Sequence, residues 1–162
     1  RFNLREHVRV LGPLHPYSLT IINNLASALF MKRKFSESIS LLKCCIREYR
    51  RILGPDHHEV LVVRNTLATV YRESGSYRRA LDANRLNLSE CQRLLSPDAP
   101  QFIFVLNNLA LTHCRMGTSK DAITEFNRIL EEYTECYGKD HILVTTVQSM
   151  RDAIIADMAR FE

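Results

Sequence analysis

A short segment recurs along this chain at a constant spacing of 42 residues. Its first copy reads Leu-Gly-Pro-Leu-His-Pro at residues 11–16, and related copies begin at residues 53, 95 and 137. An Asn-x-Leu-Ala segment recurs in the same register, starting at Asn23, Asn65 and Asn107. A period of this length indicates stacked units that bury their apolar faces against their neighbours, and it excludes most other folds.

Each repeat is predicted to contain two helices. The five glycines and five prolines fall at junctions between segments whose apolar residues follow helical periodicity. The expected first helices cover about residues 16–32, 58–74 and 100–116, and the second helices about 35–53, 77–94 and 119–136. The first helices should bury Leu25, Leu67 and Leu109. Ser38, Ala80 and Ala122 are equivalent positions of the second helices, as are Leu42, Asn84 and Phe126.

The segment Leu67, Ala68 and Tyr71, followed by Gly75 and Ala80, resembles the tetratricopeptide repeat. The 42-residue period and the Leu-Gly-Pro-Asp-His junction resemble the kinesin-light-chain subclass of that family. The resemblance implies an all-α fold, a right-handed superhelical solenoid of antiparallel helix pairs. Four residues depart from the family pattern, at the turn glycine, in the apolar stripe, at an aromatic position and after the turn: Arg33, Arg64, His113 and Ser119.

The repeats divide residues 1–162 into one expected array. Residues 1–10 align with the tail of a preceding second helix, and the repeats cover 11–52, 53–94 and 95–136. Residues 137–162 are expected to form a partial repeat or a capping helix. The chain is expected to be a fragment of a longer protein, because it lacks an initiator Met and starts within a repeat.

Arrays that resemble this one bind ligands on the concave face lined by their first helices. An Asn side chain has two donors and an acceptor, so Asn23, Asn65 and Asn107 are predicted to hydrogen-bond a peptide backbone. The alternative is that these residues only bridge neighbouring helices. The predicted groove residues are Thr20, Asn23, Asn24, Ser27, Val62, Asn65, Thr66, Thr69, Phe104, Asn107, Asn108, Leu111 and Arg115.

Patterns for bond chemistry are missing from the sequence. The five cysteines are an odd set without Cys-x-x-Cys or regular Cys/His spacing, which argues against a disulfide framework, a metal site and an oxidising compartment. A cytoplasmic protein that is not an enzyme and carries no cofactor is therefore predicted. The junction residues His15, His57 and His141 are interpreted as local caps or turn hydrogen bonds.

Charge changes sign along the chain. Residues 11–52 carry a net charge of +5, residues 53–94 of +1 and residues 95–136 of −3. This gradient would orient a partner that has an acidic segment, although solvated outer faces also explain it. The overall charge of +4 is too small to predict nucleic acid binding, and no apolar run is long enough to predict a membrane span.

The predicted function is an adaptor or scaffold that binds a protein or peptide, and the family resemblance extends this to kinesin-light-chain-like cargo. The alternatives are an architectural or self-associating repeat, or a regulatory repeat attached to an enzyme or nucleotide-switch domain. A clamp for C-terminal carboxylates is disfavoured. Asn24 and Asn108 would fit such a clamp, but its lysines are missing.

Overall fold

The computed structural model describes residues 16–96 and 99–159. These residues form seven α-helices and contain no strand, which confirms the all-α prediction. Every predicted helix agrees with an observed one to within one residue at each end. The helices are α1 Pro16–Met31, α2 Phe35–Ile52, α3 His58–Glu73, α4 Tyr77–Leu94, α5 Pro100–Met116, α6 Ser119–Tyr137 and α7 Ile142–Met158. The expected tail of a preceding helix at residues 1–10 lies outside the described residues.

The chain divides into two compact units, Arg1–Ser76 and Tyr77–Glu162. In the described part of the first unit, α2 packs against both α1 and α3, and α1 also contacts α3. In the second unit, α4 packs against α5 and α6 packs against α7, while α5 also contacts α6 and α7. Each unit therefore has the alternation of first and second helices that the repeat predicts.

The second helices bury the positions that the repeat relates. Ser38, Ala80 and Ala122 are completely buried, and all three have small side chains. Ser38 donates a hydrogen bond from its hydroxyl to the backbone carbonyl of Ala26 at 2.8 Å, which satisfies a polar group in the core. The next equivalent set, Leu42, Asn84 and Phe126, is also completely buried.

The predicted leucine core of the first helices is confirmed at two of three positions. Leu67 is 6% exposed and Leu109 is 0% exposed, whereas Leu25 is 39% exposed. The prediction is therefore wrong for Leu25. Its two buried equivalents lie in helices that pack against a preceding helix, α3 against α2 and α5 against α4.

Left-handed residues end the first helices. Gly75 and Gly117 have φ angles of 79° and 73°, and Arg33 occupies the same position with φ 58°. At all three turns the next backbone N–H bonds the carbonyl five residues earlier, as in Lys34 N to Leu29 O at 2.9 Å. This pattern is a Schellman closure, so Arg33 makes the turn that glycine makes elsewhere.

The junction histidines are helix caps. His57 Nδ1 accepts a hydrogen bond from the Glu59 backbone N–H at 3.3 Å, and His141 Nδ1 accepts one from the Leu143 N–H at 3.2 Å. Each bond satisfies a backbone donor in the first turn of a helix, α3 or α7. The capping interpretation is confirmed for these two residues, and His15 lies outside the described part of the chain.

Candidate peptide-binding groove

In the second unit, α5 and α7 form a groove of about 450 Å³. Small and apolar side chains from both helices predominate along it, with one amide and one carboxylate. The groove includes two of the predicted site residues, Asn107 and Leu111. Its lining is Asn107, Ala110, Leu111, Cys114, Met150, Ala153, Ile154, Ala156 and Asp157.

One face of α5 combines apolar and hydrogen-bonding groups in a form suited to an extended chain. Phe104 is 60% exposed and Leu111 is 41% exposed, although both are large apolar residues. Asn107 is exposed between them, and Arg115 is exposed one turn beyond Leu111. The spacing of three, four and four residues places all of them on one side of the helix.

The predicted residues of α3 form a more polar surface. Val62 is 40% exposed, while Asn65, Thr66 and Thr69 are half-buried. The hydroxyls of Thr66 and Thr69 donate to the backbone carbonyls four residues earlier at 3.2 Å, so they retain only acceptor capacity for a ligand.

On α1, Thr20 and Asn24 are exposed and Ser27 is half-buried. Thr20 Oγ1 lies 3.2 Å from the hydroxyl of Tyr49, and Ser27 donates to the Asn23 backbone carbonyl at 3.1 Å. Asn23 is half-buried, and its side-chain Oδ1 is buried without a hydrogen-bond partner among the described residues. Of the three equivalent asparagines, only Asn107 is therefore exposed.

Asn108 differs from the rest of the predicted set because it is only 9% exposed. Its backbone carbonyl accepts the Thr112 hydroxyl at 2.6 Å, and Asn84 Nδ2 donates to the same hydroxyl oxygen at 3.5 Å. The adjacent Leu109 sits in the core, so the helix turns Asn108 inward as well. We therefore correct the groove set by removing Asn108.

A partly buried polar network joins three helices of the second unit and was not predicted from the sequence. His113 Nε2 lies 2.9 Å from Glu125 Oε2, and His113 Nδ1 lies 2.9 Å from Thr118 Oγ1. Arg85 donates to both carboxylate oxygens of Glu125 at 2.7 Å. The only signal in the sequence was a histidine at a position where the family pattern has an aromatic residue, because such a buried imidazole needs partners.

The charges in this network fix the ionisation of Glu125. Burial raises the pKa of the Glu125 carboxyl, but hydrogen bonds and charge from Arg85 and His113 outweigh burial and lower that pKa to about 2. The carboxylate is therefore ionised at neutral pH and serves as a structural acceptor.

Two of the cysteines lack the features of activated thiols. Burial raises the pKa of the Cys45 thiol to about 12, and burial also raises the pKa of Cys114. Both thiols remain protonated at neutral pH, whereas nucleophilic cysteines are thiolates.

Within the described ranges, no group of His, Cys, Asp and Glu is arranged to hold a metal ion. Likewise, none of the described helices has the length and apolar character needed to span a membrane.

Comparison with known proteins relates part of this chain to a family of repeats. The tetratricopeptide repeat family model matches residues 17–86. The sequence matches no curated protein.

Solved structures extend the likeness beyond the matched residues. A putative kinesin light chain with nearly identical TPR-like repeats from Podosopora anserina is similar over 97% of this chain and 74% of its own, with a TM-score of 0.77 and 16% identity. BtubC (BKLC) from P. vanneervenii is similar over 93% of this chain and 53% of its own, with a TM-score of 0.69 and 19% identity. Residues 17–86 are therefore tetratricopeptide repeats, and the chain has the fold of kinesin-light-chain-like repeat structures.

Proposed function

We propose that this chain is a protein-interaction module that holds a peptide segment of a partner protein in the α5–α7 groove. Tetratricopeptide repeats generally mediate protein–protein interactions and are non-catalytic. The observation that supports this groove most is the exposure of Phe104 and Leu111 on either side of Asn107. Large apolar side chains left in water beside a concave surface are typical of a binding site.

The groove suggests how a peptide would be held. Asn107 offers an amide that pairs with both the N–H and the C=O of a peptide unit, so it holds the backbone without selecting a side chain. Leu111, Ala153 and Ile154 all line the groove. In this proposal the small side chain of Ala153 leaves space for one apolar side chain of the partner. Burying such a side chain stabilises a complex by about 1.5–3 kcal/mol.

Several finer assignments belong to the same proposal. We assign the chain an adaptor or scaffold role in the cytoplasm, with residues 1–162 acting as one array, and kinesin-light-chain-like cargo as the partner class. The net charge of +5 over residues 11–52 supports a partner whose acidic segment meets the first unit. Thr20, Asn24 and Asn65 supply polar contacts in this proposal.

A selection experiment tests the groove without knowledge of the partner. Random twelve-residue peptides displayed on phage are selected against the wild-type chain alone. The selected peptides are then tested against the wild type and against Ala153→Phe, which fills the groove from an exposed position. We expect synthetic copies of the selected peptides to bind the wild type and to lose about tenfold or more in affinity with Ala153→Phe. Asn107→Ala should weaken binding about three- to tenfold, the size of one or two lost hydrogen bonds.

Two controls separate binding from folding. The melting temperature of Asn107→Ala should stay close to that of the wild type, because substitution of an exposed residue alters stability by less than about 0.5 kcal/mol. Ser149→Ala on α7, an exposed residue outside the groove lining, should leave the affinity unchanged. Selection that returns only peptides indifferent to Ala153→Phe and Asn107→Ala would contradict the proposal.

A further inference from the structure

We propose that the α5–α7 groove prefers peptides that carry a basic residue next to their apolar anchor. The inference rests on the proposed function, since it assigns a partner chemistry to the same groove. The feature behind it is the carboxylate of Asp157, which stands where the apolar lining ends.

The groove shares two residues with a neighbouring polar cavity of about 520 Å³. Cys114 and Asp157 line both cavities, whereas Thr118, Ser119, Lys120 and Asp121 line only the second. If an apolar side chain of the peptide is anchored beside Leu111, the side chain of the next peptide residue can therefore reach Asp157 and the polar groups beyond it. Two carboxylates and one ammonium line this second cavity, so its formal charge is negative.

The carboxylate of Asp157 is available to a ligand. Asp157 is exposed, and it makes no ion pair with any described residue. The charge of Asp157 also acts on Cys114, which lines the groove. Burial raises the pKa of the Cys114 thiol, and the charge of Asp157 raises that pKa further. By comparison, Asp152 on the same helix pairs with Arg151 at 2.7 Å.

Helix ends add to the preference for a cation. α5 ends at Met116 and α7 ends at Met158, so two helix C-termini, with their partial negative charge, lie beside the polar cavity. α6 begins at Ser119 and contributes one opposing N-terminus. The last turn of α7 contains Asp157 and no basic residue, an arrangement that is unfavourable for the helix alone and that a bound cation relieves.

The net charge of the sequence segment that contains α5 and most of α6 has the same sign. Residues 95–136 carry three Lys and Arg against six Asp and Glu. A basic peptide would be attracted to this region over a distance of about 8 Å at physiological ionic strength. The second unit thus favours the opposite peptide charge to that proposed for residues 11–52.

Three synthetic peptides test the preference directly. They share the sequence Gly-Ser-Leu-Xaa-Ser-Gly with blocked ends, and Xaa is Lys, Gln or Glu. Each is titrated into uniformly ¹⁵N-labelled protein, and the dissociation constant is taken from the amide shifts of Asn107, Leu111 and Ala153, a method suited to weak binding. We expect the Lys peptide to bind about three- to fivefold more tightly than the Gln peptide at low salt, and the Glu peptide to bind most weakly.

Matched variants assign the preference to one carboxylate. Asp157→Asn should abolish the difference in affinity between the Lys and Gln peptides. Asp152→Asn removes the same charge from the same helix at a residue already paired with Arg151, so it should preserve the difference. Raising the salt concentration should reduce the Lys preference in the wild type.

The outcomes separate this inference from the proposed function. Equal affinities for all three peptides in the wild type, with shifts in the groove, would overturn the basic preference and leave the groove as a peptide site. A Lys preference that survives Asp157→Asn would also overturn it. Absence of groove shifts with every peptide, together with failure of the phage selection, would overturn the proposed function itself.

Discussion

Arg33 holds a backbone conformation that costs free energy. Its φ angle of 58° lies in the left-handed region, where the Cβ of an L-residue is crowded, and the equivalent turns use Gly75 and Gly117. A stacking contact offsets part of this cost, since the Arg33 guanidinium lies 5.4 Å from the centre of the Phe35 ring.

We predict that Arg33→Gly raises the free energy of unfolding by about 0.5–1 kcal/mol, because glycine enters the left-handed region without strain. Urea unfolding followed by circular dichroism measures the change. The reciprocal control is Gly75→Ala, whose new Cβ would meet no atom within 4 Å, so strain at φ 79° alone should destabilise by about 1 kcal/mol. A loss of stability in Arg33→Gly would mean that the contact with Phe35 outweighs the strain.

Glu125 makes the free energy of unfolding depend on pH under acidic conditions. Its pKa is about 2 in the folded chain, below the ordinary value of 4.5. A depressed pKa contributes stability that is fully present above pH 4.5 and is lost as the pH falls towards 2. The contribution at neutral pH is about 1–2 kcal/mol once solvent screening at the half-exposed Arg85 is allowed for.

We predict that Glu125→Gln loses this contribution at pH 7 and shows a smaller decline in unfolding free energy between pH 5 and pH 2, a window set by the two pKa values. Denaturant titrations at several pH values measure it. Glu131→Gln, which changes an exposed carboxylate on the same helix, should follow the wild-type profile. Parallel profiles for Glu125→Gln and the wild type would exclude Glu125 as the source.

At the scale of the helix, α4 has an unusually polar core side. Asn84 is completely buried where the equivalent residues are Leu42 in α2 and Phe126 in α6. Its Oδ1 is buried without a hydrogen-bond partner among the described residues. Its Nδ2 donates a long hydrogen bond of 3.5 Å to the Thr112 hydroxyl. An unsatisfied buried acceptor costs about 1–3 kcal/mol.

We predict that Asn84→Leu raises the unfolding free energy by about 1–3 kcal/mol and slows amide hydrogen exchange in α4. Exchange followed by mass spectrometry locates the effect. Leu42→Asn is the matched change in α2 and should destabilise by at least as much, because it buries a new polar group. Faster exchange in Asn84→Leu would indicate that the polar contacts of Asn84 stabilise α4.

The sequence predicted helices better than side-chain neighbours. Helix ends were predictable because glycine or proline marks every junction except the turn at Arg33, and the 42-residue repeat supplies three aligned copies. The exposure of Leu25 was not, because burial depends on which helix lies alongside. The inward turn of Asn108 and the pairing of Arg85 with Glu125, 40 residues away, likewise depend on packing that no local pattern records.

At the scale of the molecule, the two units offer a partner different surfaces. In the first unit the predicted contact residues are largely hydroxyls and amides, such as Thr20, Asn24 and Thr69. In the second unit they include the exposed Phe104 and Leu111 beside a groove. A partner that uses both would combine a polar segment with an apolar anchor, and truncation of its anchor should cost more affinity than changes in its polar segment.

The most direct measurement is the position of a bound peptide on the second unit. A ¹³C-labelled peptide from the phage selection, bound to unlabelled protein, gives intermolecular nuclear Overhauser effects that identify the protein groups within about 5 Å of it. The proposed function predicts contacts from the apolar side chain of the peptide to the methyl groups of Leu111, Ala153 and Ile154. Contacts confined to the outer side of α6, around Thr124 and Arg128, with none to these methyl groups, would contradict it.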